Sequence, residues 1–329
     1  MPGAPDEAAQ RHVPVMLDRC VELLAPALAR PGAVAVDGTL GMGGHTEAIL
    51  RACPQARVVG IDRDADAIAL ASRRLAPFGD RFAAHRAEYD DIAGALRVAG
   101  ADAADGILLD LGVSSLQIDE AERGFSYAQD APLDMRMNRD DPITAADILR
   151  DADERELTRI LREYGEERFA PRIARAIVAR RATAPIERSG ELVEIVRDAI
   201  PAVARAAGGN PAKRTFQALR IAVNRELEVL ERALPAAIES TAVGGRVVVM
   251  SYHSLEDRLV KRAFAAGAES SAPPGMPVIP EDAQPYLRLL TRGAEKASEA
   301  EIAANSRSKP VRLRAVERTR PTPAGRRAA

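Results

Sequence analysis

Tryptophan is absent from this chain of 329 residues, and aromatic residues make up only 3% of it. The core must therefore be built from Ala, Leu, Ile and Val, with few rings left for stacking on a ligand. Cysteine is scarce as well. Cys20 and Cys53 stand far apart in no C-x-x-C pattern, which excludes a disulfide framework and a cysteine-rich zinc site and fits a reducing compartment. The four histidines, His12, His45, His85 and His253, show no i, i+4 pairing and no H-E-x-x-H, so no metal site is expected. No G-x-S-x-G elbow occurs either. Apolar runs all fall short of the roughly 20 residues a spanning helix needs, and the opening segment MPGAPDEAAQRHVPVM has no apolar signal-peptide core. A cytoplasmic location is expected. An excess of one charge is also missing: the formal net charge is −2, which taken alone argues against a nucleic-acid partner. The distribution argues otherwise. From Asn305 onward, Arg307, Lys309, Arg312, Arg314, Arg318, Arg320, Arg326 and Arg327 face a single acid, Glu317. This is either a local basic surface or a solvated, disordered tail.

What is present is an α/β pattern. Short, nearly continuous apolar runs at Ala33–Val36, Arg57–Ile61 and Gly106–Leu109, with a further one near Arg81–Ala84, alternate with helical stretches such as Thr46–Ala52. Runs of that kind predict a parallel sheet covered on both faces. After Asp110 the strand pattern stops. Asp141-Pro142 reads as a helix start, and Asp153–Tyr164, Arg172–Arg181 and Ser189–Ala199 are charged and helically periodic. The pattern then resumes with one long helix at Arg214–Ile238, a Gly244-Gly245 turn, a buried strand at Arg246–Met250, a helix at Ser254–Phe264, and late strands at Tyr286–Leu290 and Pro310–Val316. The expected organisation is a Rossmann-like domain in two parts, residues 1–120 and 213–329, interrupted by an all-α insertion at residues 121–212.

Four motifs stand at strand ends. The first, Asp37-Gly38-Thr39-Leu40-Gly41-Met42-Gly43-Gly44-His45, follows the first strand, where glycines permit a tight turn and close approach of a ligand to the backbone; an ordinary tight turn is the plainer reading. The second is Asp62, placed to accept the hydroxyls of a cofactor ribose. A helix cap is its alternative, but Asp64 suits that role better. Both signals fit NAD as well as S-adenosylmethionine. The loop is not G-x-G-x-x-G, and the carboxylate of Asp37 suits a cationic methionine end while it would repel a pyrophosphate. The third motif, Asp110-Leu111-Gly112-Val113-Ser114-Ser115-Leu116-Gln117, follows the fourth strand, so Asp110 should enter the same cleft. The fourth is Ser251-Tyr252-His253-Ser254-Leu255-Glu256-Asp257. Here Ser254 with Asp257 reads as a capping box, leaving Tyr252 and His253 unexplained at the cleft mouth.

These segments resemble one family in particular. HVPVML (His12–Leu17), DGTLGMGGH (Asp37–His45), DLGVSSLQID (Asp110–Asp119), RGFSY (Arg123–Tyr127), PLDMRM (Pro132–Met137), YGEERFAPRIARAI (Tyr164–Ile177), KRTFQALRIAVNREL (Lys213–Leu227) and GGRVVVMSYHSLEDRLVK (Gly244–Lys261) run in the order of the small-subunit ribosomal RNA methyltransferase H family, also called MraW. The chain departs from it where Tyr127 and Tyr252 replace Phe, and where NSRSKPVRLR (Asn305–Arg314) replaces NPRSRSAKLR. The resemblance implies a class I S-adenosylmethionine-dependent methyltransferase with an inserted helical domain. The reaction it implies is on the exocyclic N4 of one cytidine in small-subunit ribosomal RNA, near the decoding region. It also implies cofactor contacts at Gly43, Gly44, His45, Asp62, Tyr89, Asp110 and Gln117, to which the reading of the loop adds Asp37.

For the chemistry, Asp110 or the adjacent backbone is expected to accept an N4 hydrogen and His253 or water to take the proton. Tyr252, Phe125 or Tyr127 is expected to stack on the extruded base. Arg136, Arg172, Lys213, Arg214 and Arg220, with Arg168 and Arg175, are candidates for phosphate contacts, and a solvated helix face is the alternative for each. The expected partner is ribosomal RNA or the assembled small subunit, not a membrane. The oligomeric state, a homodimer included, stays open. Rival readings are a methyltransferase with another acceptor and a non-catalytic cofactor-binding assembly factor.

Overall fold

The computed structural model describes residues 14–205, 210–273, 275–276 and 278–326. His12 and Arg327 lie outside the described residues. The chain divides into two compact units, one comprising residues 1–112 with 227–329 and the other residues 113–226.

The first unit opens with α1 (Leu17–Leu28), β1 (Val34–Asp37), α2 (Gly44–Ala52), β2 (Arg57–Asp62), α3 (Ala65–Leu75), β3 (Phe82–Arg86), α4 (Ile92–Ala99) and β4 (Ala104–Asp110). The second unit holds α5 (Ser115–Asp119), α6 (Ala145–Asp151), α7 (Glu154–Glu163), α8 (Ala170–Arg181), α9 (Ser189–Ala199), α10 (Ala202–Arg205) and α11 (Lys213–Asn224). The chain then returns through α12 (Glu226–Ser240), β5 (Thr241–Ser251), α13 (Ser254–Ala268), β6 (Leu287–Leu289), α14 (Glu299–Ala304) and β7 (Arg312–Arg318).

The seven strands form one sheet in the order β3-β2-β1-β4-β5-β7-β6. β1 to β5 are parallel, and β7 runs antiparallel to both β5 and β6. This is the Rossmann-like sheet expected of a class I methyltransferase, with the chain reversing direction about β1 and β4. The central strands are apolar throughout because both faces are covered. One buried cluster, with Leu24, Leu50, Leu108 and Met250, lines one face. A second, with Val36, Ile61, Ile107, Leu109 and Val249, lines the other. The basic C-terminal stretch is not a disordered tail up to Arg326. β7 is an inner strand, and four cations of the stretch, two in β7 and two beyond it, are tied down locally. Arg314 pairs with Asp257 at 2.8 Å, Arg318 donates to the carbonyls of Glu239 and Thr241, Arg320 reaches Glu281, and Arg326 covers the ring of Tyr286.

The second unit has its own core, in which Leu133, Met135, Leu157, Ile173, Ile177, Leu192 and Leu219 are buried. It is all-α, as expected, and runs over residues 113–226 against the expected 121–212, taking in α5 at its start and α11 at its end. The reason for the later end is a helix break. The expected single helix from Arg214 to Ile238 is two, separated at Arg225, whose φ of 51° is left-handed. A side chain in that region costs about 1–2 kcal/mol. Buried Asn224 offsets this by accepting from Met137 N–H at 2.8 Å and donating to the carbonyls of Met135 and Arg220. The helix expected at Asp141-Pro142 instead begins at Ala145, capped by a reciprocal Thr144–Asp147 box. Among the described residues no helix is long and apolar enough to cross a membrane.

Candidate active site

The parallel register determines where the acids stand. Asp37 ends β1 level with Gly60 of β2 and Leu108 of β4. Asp62 and Asp110 therefore project one side-chain repeat farther at the carboxyl ends of the flanking strands. All three acids thus gather at one end of the sheet, where ligands sit in folds of this kind.

The loop between β1 and α2 links them. Gly43 sits at φ 78°, and a Cβ there would meet the Leu75 side chain at 3.0 Å, so both conformation and space call for glycine. Asp62 receives the Gly41 N–H on one oxygen at 2.8 Å and the Asp64 N–H on the other at 2.9 Å. Asp64 caps α3, as expected. Burial pushes the carboxyl of Asp62 up to about 6, against the pull of those two N–H groups and of Arg63. Each oxygen keeps an open lone pair, so a donor diol such as a ribose would meet an under-satisfied acceptor.

Asp37 plays a different part from the one expected. It is 1% exposed, receives the Thr46 hydroxyl at 2.7 Å and the Thr39 N–H at 3.2 Å, and holds the loop from inside. Its burial raises its pKa, and it offers little surface to a cationic ligand. Thr39, which the sequence reading missed, also accepts the N–H of Asp110 at 2.6 Å and so joins the first and third motifs.

Asp110 keeps 24% of its side chain exposed. One oxygen accepts the hydroxyl of Tyr252 at 2.7 Å, and the other lies 3.7 Å from Nδ1 of His45, whose Nε2 bonds the Val15 carbonyl. Burial raises the pKa of Asp110, His45 and the Tyr252 bond lower it, and the nearby charges of Asp37 and Glu256 raise it again. Tyr252 is itself pushed well up by burial and by Asp110. Its ring packs on the sheet-face cluster and is not a free stacking platform.

His253 needs a correction. It, and not Ser254, is the N-cap of α13, in a reciprocal box with Glu256. Its side chain is 9% exposed, with Nε2 at 3.2 Å from the Glu256 carboxylate, so a substrate proton has no ready path to it. Glu256, also missed, accepts the Tyr252 N–H at 2.8 Å and fixes the Tyr252-His253 loop. The signal available was the spacing His253-x-x-Glu256, read one residue too late.

Within the helical unit, Gln117 is buried and its Oε1 accepts the Ser114 N–H as the second half of a capping box. Tyr127 meets Phe216 edge-on at 5.8 Å, and Phe125 also packs in the helical core, so these rings build structure. Arg136 is bidentate on Asp134 and also donates to the carbonyls of Arg139 and Asp141. Arg220 is bidentate on Glu226, and Arg214 donates to the Glu166 carbonyl. Arg168 lies over Phe169, and Arg175 is within 3.6 Å of Glu154. Arg172 and Lys213 are exposed, and among the described residues neither has an ion-pair partner.

The profile of the MraW methylase family matches residues 9–319. A Beutenbergia cavernae protein named Ribosomal RNA small subunit methyltransferase H is 65% identical over 98% of this chain and 97% of its own length. Proteins of the same name from Saccharopolyspora erythraea and Streptomyces avermitilis are 63% and 59% identical, each over 94% of this chain and over 94% and 98% of their own lengths. With that identity along nearly the whole chain, and a site whose acids and glycine loop suit a sulfonium nucleoside, the chain belongs to the MraW methylase family of S-adenosylmethionine-dependent methyltransferases.

Proposed function

We propose that this protein methylates the exocyclic N4 of a cytidine in small-subunit ribosomal RNA, near the decoding region, and works in the cytoplasm. The observation that carries this reading is Asp110, a partly open carboxylate at the β4 tip, oriented by Tyr252 and His45 beside the glycine loop. The names of the relatives supply the acceptor class. When bound, S-adenosylmethionine supplies an electrophilic methyl group. Asp62 fits its ribose diol, the backbone of Gly43 and Gly44 lies along the loop, and Tyr89 walls the adenine.

The N4 lone pair of cytosine is delocalised into the ring, so the protein's task is to localise it. Asp110 accepts one N4 hydrogen and holds the amine in line, and it does so without rearranging because Tyr252 and Thr39 already fix it. As the nitrogen gains its methyl group, an N–H proton becomes acidic and passes to Asp110 or to water. His253 acts through the loop it caps.

Exposed cations are the candidates for phosphate contacts: Arg172 and Lys213 on the helical unit, and on the other unit Arg312, which stands level with Ser251 of β5, with Lys309 three residues before it. The deciding experiment offers labelled cofactor to unmodified small subunits, naked ribosomal RNA and DNA, with nucleoside analysis of the product. Methyl label on cytidine N4 is expected, and Asp110→Ala should abolish it. Label only in protein or DNA, or in no substrate, overturns the assignment.

A further inference from the structure

Tyr89 was invisible as a site residue by its own spacing, and the structure shows how it is held. The Ala87 N–H bonds the Asp62 carbonyl at 3.1 Å, and the Asp91 N–H closes a turn on the Glu88 carbonyl at 3.0 Å. Tyr89 is the second residue of that turn. Its Cβ lies against Gly38, where an added methyl group would approach it to 3.4 Å. The turn thus sets Tyr89 beside the loop that follows β1, with its partly buried side chain packed against the apolar cluster on that face of the sheet.

Both acids that flank Tyr89 are gripped by one side chain. Arg232 of α12 donates through Nε to Asp90 at 2.7 Å and through Nη2 to Glu88 at 3.1 Å. The other oxygen of Glu88 lies 3.8 Å from Arg63, which directly follows Asp62 and is only 9% exposed. The far side of the turn is fixed by Asp91, which caps α4 and takes His85 at 2.7 Å. A guanidinium forked across residues i−1 and i+1 restrains the backbone of the residue between them, because two fixed donors set both distance and plane.

We propose that Arg232 is a positioning residue for the cofactor. It clamps the Glu88–Asp90 segment so that the Tyr89 ring stays over the adenine subsite while Arg63 couples the same segment to the ribose acceptor Asp62. The inference rests on the reading that Tyr89 walls the adenine. It adds that a helix outside the pocket sets cofactor affinity through a surface-exposed salt link.

The test is calorimetric binding of S-adenosylhomocysteine to the full-length protein. Arg232→Ala should weaken binding about three- to tenfold, the scale of losing a forked, partly exposed ion-pair network. Arg232→Lys, which cannot fork, should recover part of it. In turnover, the KM for S-adenosylmethionine should rise with kcat unchanged. Added salt should weaken wild-type binding more than that of Arg232→Ala. Tyr89→Ala separates the two layers of the argument. In that background Arg232→Ala should cost nothing further. If Tyr89→Ala weakens binding while Arg232→Ala binds like wild type, the clamp is refuted and the adenine reading stands. If Tyr89→Ala binds like wild type, the adenine reading fails and the clamp with it. A loss in Arg232→Ala that persists undiminished in the Tyr89→Ala background also refutes the clamp.

Discussion

Replacing Tyr252 by Phe removes a single oxygen and keeps the ring that packs on the sheet. That oxygen donates to Asp110 at 2.7 Å in a partly buried setting. A hydrogen bond to a charged group there is worth about 1.5–3 kcal/mol, and if it is used to hold Asp110 in the transition state, its loss slows transfer about ten- to a hundredfold. A second signature follows from charge. The Tyr252 bond is one of the two influences that lower the pKa of Asp110 against burial and the charges of Asp37 and Glu256. Without it the carboxyl titrates higher, so the acid limb of the rate profile moves to higher pH. The assay is single-turnover methyl transfer to the small subunit between about pH 5 and 9. Melting temperature serves as a control: at about 2–4 °C per kcal/mol the fall stays at or below about 10 °C, leaving the protein folded at the assay temperature. A stacking role for Tyr252 predicts the reverse pattern, with full activity in Tyr252→Phe and loss only when the ring goes, as in Tyr252→Leu. A Tyr252→Phe enzyme with the wild-type rate and an unshifted acid limb would refute the orienting role.

Asp62 offers a pH test with a defined sign. Its folded pKa is raised to about 6 from an ordinary value near ~3.9. Its contribution to stability is therefore fully present below ~4 and lost as pH rises through about 6, by up to roughly 3 kcal/mol for the ligand-free protein. Cofactor binding needs the ionised form, so S-adenosylhomocysteine affinity should fall as pH drops below about 6, and Asp62→Asn should bind weakly and without that dependence; a pH-independent wild type would remove Asp62 from the ribose site. Lys309 and Arg312 are exposed, and Arg312 stands level with Ser251 beside the Tyr252 loop. Replacing both by Gln should lower RNA affinity and reduce the slope of log affinity against log salt by about two, leaving S-adenosylhomocysteine binding unaltered. An unchanged slope in filter-binding titrations would place the RNA elsewhere.

Much of this was legible before any coordinates. Apolar runs ending in Asp37, Asp62 and Asp110 are a one-dimensional pattern, and a strand buried on both faces has little choice but to be apolar along its length. The parallel sheet followed from it, and the family resemblance added Tyr89 and Gln117 as expected cofactor contacts. What escaped were consequences of distant partners. The helix break at Arg225 leaves no mark in local periodicity, because it is held by Asn224 reaching Met135 and Met137. Arg136 and Arg220 looked free until Asp134 and Glu226 were seen to hold them.

The sequence alone determined which residue types stand at each strand tip and which family the chain resembles, since those depend on order along the chain. Only the tertiary structure decided what each group is free to do. It buried Asp37 among threonines and left Asp110 partly open, made His253 a helix cap, and wove the basic C-terminal run into the sheet. A side chain's protonation and reach depend on neighbours brought from far along the chain, and burial and charge act through space, not through sequence position.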